Sequence, residues 1–139
     1  MTKKAFFAGA RSFIQANRMH ELFNATDSDV DIRDFNHYFT TPQGIYFALW
    51  YALLYNVLEF LREQRSLPKP IAADVQTIFH PLRRFRNVIF HTPPKYFDER
   101  FNVILNKKAF DTILRIHFEL SAFFDAELKK YGEYTELTP

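Results

Sequence analysis

The sequence has no cysteine, only three glycines and almost no charge excess, with 18 Lys plus Arg against 16 Asp plus Glu in 139 residues. Without cysteine there is no disulfide framework, thiolate zinc site, iron–sulfur cluster or thiol nucleophile, and the cytoplasm is the expected compartment. Gly9, Gly44 and Gly132 lie far apart. Phosphate-cradling loops need several glycines close together so that backbone amides can approach the ligand, which excludes a Walker loop and a dinucleotide fingerprint. A formal charge of +2 gives no broad basic face, so any contact with nucleic acid has to come from local clustering.

Long hydrophobic runs are also missing. Lys3 and Lys4 precede the apolar run Ala5 to Ala10, but Arg11 interrupts it before a signal-peptide hydrophobic region has formed. The most apolar stretch, Ile45 to Leu58, contains Asn56 and falls short of the roughly 20 residues a spanning helix needs. A buried helix explains it, and no membrane partner is expected. What the chain does have is aromatic mass: 17 Phe, seven Tyr and one Trp within a 47% hydrophobic composition. That predicts one globular domain over residues 1–139 with a real core.

Apolar residues recur at helical spacing in four places. Phe6, Ala10, Phe13, Ala16, His20 and Phe23 mark a first amphipathic helix over about residues 3 to 23. Residues 24 to 41 carry Asp27, Asp29, Asp31 and Asp34 with little period. They read as a solvated loop, because the glycine and terminal glutamate of a calcium loop are missing at the required offsets. Phe35, Tyr38 and Phe39 are candidates to pin its end.

Thr41 before Pro42 is a start signal for a second helix over about residues 42 to 66, apolar around most of its circumference and therefore central. Pro68 and Pro70 open a third helical region that is expected to kink or restart at Pro81 and to stop at Thr92-Pro93-Pro94. Asn106 can cap a fourth helix running to Tyr131, with Gly132 as its stop. The expected fold is all-α, an up-down four-helix bundle with a kinked third helix.

One segment departs from ordinary bundle sequence: Leu82-Arg83-Arg84-Phe85-Arg86-Asn87-Val88-Ile89-Phe90-His91, with three arginines, a histidine and no acidic residue. Guanidinium groups in this density suit phosphate recognition. On a straight helix Arg86 and His91 are separated by about 140°. They converge only if His91 lies at a fraying helix end or if a second copy completes the site across a symmetric interface.

Arg86-Asn87-Val88-Ile89-Phe90-His91 resembles the signature of HEPN domains: an arginine, usually followed by a polar residue, then a histidine after a gap of four to six residues, on the third helix of an all-helical bundle; here the polar residue is Asn87 and the gap is four. Random placement predicts roughly 0.02 such matches in a chain of this composition. The resemblance implies a metal-independent endoribonuclease or toxin, active as a homodimer whose two motifs face each other across a cleft, with no cofactor and, in a toxin or phage-defence setting, an antitoxin protein as partner. It implies that His91 moves protons, that Arg86 holds the scissile phosphate, and that Asn87 orients the histidine or a phosphate oxygen, while Arg83 and Arg84 guide the RNA backbone. Attack by the ribose 2'-hydroxyl leaves a cyclic phosphate and spares DNA. Pro93 stands where some toxin-like members have tyrosine. The alternative on the same bundle is a non-catalytic nucleotide-binding or protein-interaction module.

Simpler roles compete for several of these residues. Arg86 and His91 also fit a helix C-terminus where a cationic histidine meets the dipole and the arginine pairs with a carboxylate. His20 and His117 sit in apolar stripes and are expected to be hydrogen-bonded core residues. His37 and His80 have no metal-ligand spacing. Glu59 either orients His91 or pairs with Arg62 or Arg65. Phe85 and Phe90 are candidates to fix the motif helix in its bundle.

Overall fold

A computed structural model describes residues 1–27, 35–95 and 98–132. Among them all regular structure is helical: α1 (Lys3–Ala25), α2 (Phe35–Tyr38), α3 (Pro42–Glu63), α4 (Ala72–Phe90) and α5 (Lys107–Tyr131), with short 3-10 turns at Lys69–Ile71 and Glu99–Phe101. The expected acidic loop lies outside the described residues from position 28 to 34, as do Tyr96 and Phe97.

The helix starts are written in side chains. Thr2, Thr41 and Asn106 each accept a backbone N–H from the residue three positions on, at 3.1, 3.1 and 2.9 Å, meeting one of the free amides of the first turn. Pro42 occupies the first turn of α3, where its missing N–H costs nothing. Two bonds close the end of α3, Arg65 N–H to the Arg62 carbonyl and Ser66 N–H to the Leu61 carbonyl. This pairing places Arg65 in the left-handed region at φ 52°. The helix therefore ends at Glu63 rather than near residue 66. α4 runs through Pro81 without restarting.

α3 packs on α1 and α4, and α5 packs on α1 and α4 in turn. Trp50, Tyr51, Leu54, Tyr55, Leu58 and Leu61 of α3 are fully enclosed, which makes this helix the centre of the molecule. α3 is long and apolar enough to cross a membrane, but most of its apolar span is buried inside the molecule, as in a core helix. Gly44 is where α2 meets α3: a Cβ there would lie 1.9 Å from the Tyr38 carbonyl oxygen. Tyr38 is buried, and Phe39 packs against Phe47, Phe85 and Phe101, so these two pin the segment before α3 to the core as expected, while the Phe35 side chain lies outside what is described.

The two core histidines belong to one polar network under the apolar shell. Trp50 Nε1 donates to His117 Nδ1 at 3.1 Å, and His117 Nε2 lies 2.9 Å from Asn17 Oδ1. Since the indole can only donate, His117 is the neutral Nε2–H tautomer and donates to Asn17. His20 packs at a tilt against Trp50, 4.4 Å between ring centres, and lies 4.5 Å, centroid to centroid, from His117, while its Nε2 meets the Asn24 amide. Burial depresses the basicity of both, that of His117 to about 4 with a further contribution from His20. Both are satisfied core residues.

Candidate functional site at the C-terminal end of α4

The basic segment forms the last two and a half turns of α4 and is divided by burial. Leu82, Phe85 and Val88 point into the core and fix the helix, whereas Arg83 and Arg84 are exposed and Arg86 and Asn87 are half-buried. Phe85 is fully enclosed, but Phe90 is 46% exposed, so only the first of the two anchors the motif helix. Phe90 instead presents an open ring beside His91.

Arg86 is held from three sides. Its Nε donates to Asn87 Oδ1 at 2.9 Å, its Nη1 donates to Asn56 Oδ1 at 3.1 Å, and its guanidinium carbon sits 4.6 Å above the centre of the Tyr55 ring. Both acceptors are neutral amides. Among the described residues no carboxylate forms an ion pair with Arg86, so its charge is oriented without being neutralised. Tyr55 is set in turn by Glu59, whose carboxylate accepts its hydroxyl at 2.5 Å. Burial, followed by this bond, pushes the Tyr55 hydroxyl up to about 12. Glu59 thus serves the platform beneath Arg86, and neither Arg62 nor Arg65 pairs with it.

His91 is the C-cap of α4. Its N–H still donates to the Asn87 carbonyl at 2.9 Å, but its own backbone is extended, at φ −122° and ψ 104°. The fixed 140° offset of a straight helix therefore does not apply to it. Its side chain is exposed, and among the described residues it makes no hydrogen bond or ion pair. Asn87 links the two: its side chain holds Arg86 and its carbonyl holds the His91 amide.

The remaining motif arginines diverge. Arg84 reaches toward Glu99 at 3.8 Å, over a groove of about 380 Å³ shared with Lys95, Asp98 and Arg100. Arg100 makes a two-point contact with Asp98 at 3.0 and 2.7 Å, which holds the Asp98 carboxyl down at about 2. Arg83 faces the opposite way, toward α3, where its charge acts on the Tyr55 hydroxyl. Asn56, Tyr55 and Glu59 are not visible in the motif itself; the signal for them is a short polar interruption in the most apolar helix. Among the described residues no group of three His, Asp or Glu side chains is placed to hold a metal ion. No protein-family model, curated protein or solved structure matches the chain.

Proposed function

We propose that this protein is a metal-independent endoribonuclease of HEPN type, built as a four-helix bundle and acting as a homodimer. The observation that carries the reading is the state of Arg86: a guanidinium held by two neutral amides and an aromatic ring, with no carboxylate partner among the described residues, five positions ahead of an exposed histidine. These contacts tie α4 to α3 and leave the positive charge of the arginine without a counter-ion among the described residues. An arginine held rigid and left unneutralised is ready for an anion, and its planar donors suit the paired oxygens of a phosphodiester.

In this reading Arg86 holds the scissile phosphate and offsets the charge that builds on its oxygens as the 2'-hydroxyl attacks phosphorus. His91 removes the 2'-hydroxyl proton, and His91 of the second copy protonates the departing 5'-oxygen. The P–O5' bond breaks as the P–O2' bond forms, giving a 2',3'-cyclic phosphate and a 5'-hydroxyl. Asn87 positions Arg86 and the last helical turn. The exposed Phe90 ring supplies a stacking face or part of the contact between copies. An antitoxin that covers this end of α4 would silence the enzyme.

The test is cleavage of mixed RNAs in EDTA by the purified protein. We expect activity that drops at least 100-fold in His91→Ala and Arg86→Ala, with both variants retaining their helical signal and melting transition. Equal activity in either variant refutes the assignment.

A further inference from the structure

Two rows of side chains face each other along the α3–α4 groove. On α3, Tyr55, Glu59 and Arg62 follow at steps of four and three; on α4, Phe79, Arg83 and Arg86 do the same. Residues at these steps share one helix face. The rows touch where Arg86 covers Tyr55 at 4.6 Å, where Tyr55 meets Phe79 at 5.0 Å, and where Arg62 covers Phe79 at 3.9 Å. Tyr55 and Phe79 are buried, whereas Arg62 and Arg83 are exposed and Arg86 is half-buried, so the arginines form the outer layer of the groove.

The charge along this groove is predominantly positive, three arginines against one glutamate. Among the described residues Arg62, Arg83 and Arg86 have no carboxylate ion-pair partner. Glu59 is the one acid in the two rows, and it is occupied by the Tyr55 hydroxyl. Beyond Arg62 the groove opens into a hollow of about 550 Å³ whose lining includes Gln76, Phe79 and His80, adding hydrogen-bonding groups at its far end. Arg62 lies on α3, outside the motif segment.

We propose that the α3–α4 groove is a binding track for single-stranded RNA, running from His91 past Arg86 and Arg83 to the hollow at Arg62 and His80. The proposal rests on the ribonuclease reading for its choice of ligand, and it adds the path the strand takes. From Phe79 to His91 the helix rises about 18 Å, the length of about five stacked nucleotides. Three guanidiniums along that length meet successive phosphates. Two of them, Arg62 and Arg86, sit over aromatic rings, at 3.9 and 4.6 Å, an arrangement in which a guanidinium can also take a base on its other face. Orienting them beforehand lowers the cost of ordering long side chains when the strand binds.

The experiment measures binding of a fluorescein-labelled ten-nucleotide uridine RNA to the His91→Ala protein, which is not expected to cut it, at several salt concentrations. Arg62→Ala and Arg83→Glu, each added to that background, are expected to weaken binding at least fivefold. Losing one phosphate contact lowers the slope of log affinity against log salt by about 0.7. Arg18→Ala, which removes an exposed arginine on α1, is the control for general charge and is expected to stay within twofold. Arg83 is exposed, so Arg83→Glu tests the track even if Arg62→Ala fails to fold. Binding within twofold of the parent for both groove variants overturns the track, as does failure of the parent to bind the RNA. The two readings separate cleanly: RNA cut equally well by proteins with His91 intact and Arg62→Ala or Arg83→Glu leaves the ribonuclease and removes the track. RNA held through Arg62 and Arg83 but never cut does the reverse.

Discussion

Arg86 Nη1 donates to Asn56 Oδ1 at 3.1 Å, tying the motif helix to the middle of the most buried helix in the molecule. This bond crosses between α3 and α4 and ends on a neutral oxygen, and that neutrality decides what the arginine is free to do.

Substitution at Asn56 therefore separates holding from neutralising. Asn56→Ala removes one acceptor and is expected to cost about 1 kcal/mol of stability, with cleavage reduced about tenfold as the guanidinium loses its orientation. Asn56→Asp retains the geometry and introduces a carboxylate that competes with phosphate. We expect it to be at least as stable as the alanine variant yet less active, measured by urea unfolding beside RNA cleavage. An Asn56→Asp protein with wild-type activity contradicts the role assigned to the uncompensated charge.

The buried histidine gives stability a defined dependence on pH. His117 is held near 4 in the folded protein against 6.5 in an unfolded chain. Between these values the unfolded state binds the extra proton, so stability falls as pH drops from about 6.5 toward 4 and is unaffected above about 7. The loss approaches about 3 kcal/mol at the lower end. His20, depressed in the same direction, adds to it. Urea midpoints at pH 7 and pH 4.5 measure the effect. In His117→Asn most of the difference is expected to disappear, although the variant is less stable at neutral pH because Trp50 loses its acceptor.

Tyr51 carries a hydroxyl that is fully buried and has no hydrogen-bond partner among the described residues. An unmet polar atom in the core is a standing cost. Tyr51→Phe keeps the ring contacts with Phe47 and Phe85 and is expected to raise stability by about 1 kcal/mol, read as a higher melting temperature. A clear loss of stability would show that the hydroxyl is used.

Gly44 predicts the opposite response. An added Cβ meets the Tyr38 carbonyl at 1.9 Å, a backbone atom that cannot swing aside. Gly44→Ala is expected to destabilise the protein by about 3 kcal/mol, whereas Gly132→Ala strains only the first residue after α5, at φ 80°. Comparable melting temperatures for the two variants would contradict the α2–α3 contact.

Much of this architecture is legible in the chain because it is encoded locally. Thr41-Pro42 and Asn106 announce helix starts, and each side chain makes the bond that its type suggests. The satisfied roles of His20 and His117 follow from their places in apolar stripes. What stays hidden depends on partners remote in sequence. No spacing rule shows that Glu59 holds a tyrosine rather than an arginine, or that Asn56 reaches across 30 positions to Arg86. α2 is too short to show a period. Arg65 ends α3 in a conformation usually given to glycine, so the sequence carries no stop signal at the true boundary. Phe85 and Phe90 look alike in the motif, yet the rotation of α4 buries one and exposes the other.

The central claim is that Arg86 and His91 cleave RNA through its own 2'-hydroxyl. The most direct measurement is product analysis of a defined oligoribonucleotide incubated with the protein in EDTA, beside the same oligomer carrying a single 2'-deoxy substitution at the cut position. The account predicts 2',3'-cyclic phosphate and 5'-hydroxyl ends on the first, and no cleavage at the substituted position on the second. Cleavage that continues at the 2'-deoxy position, or an intact all-ribose oligomer after incubation with a verified homodimer, contradicts it.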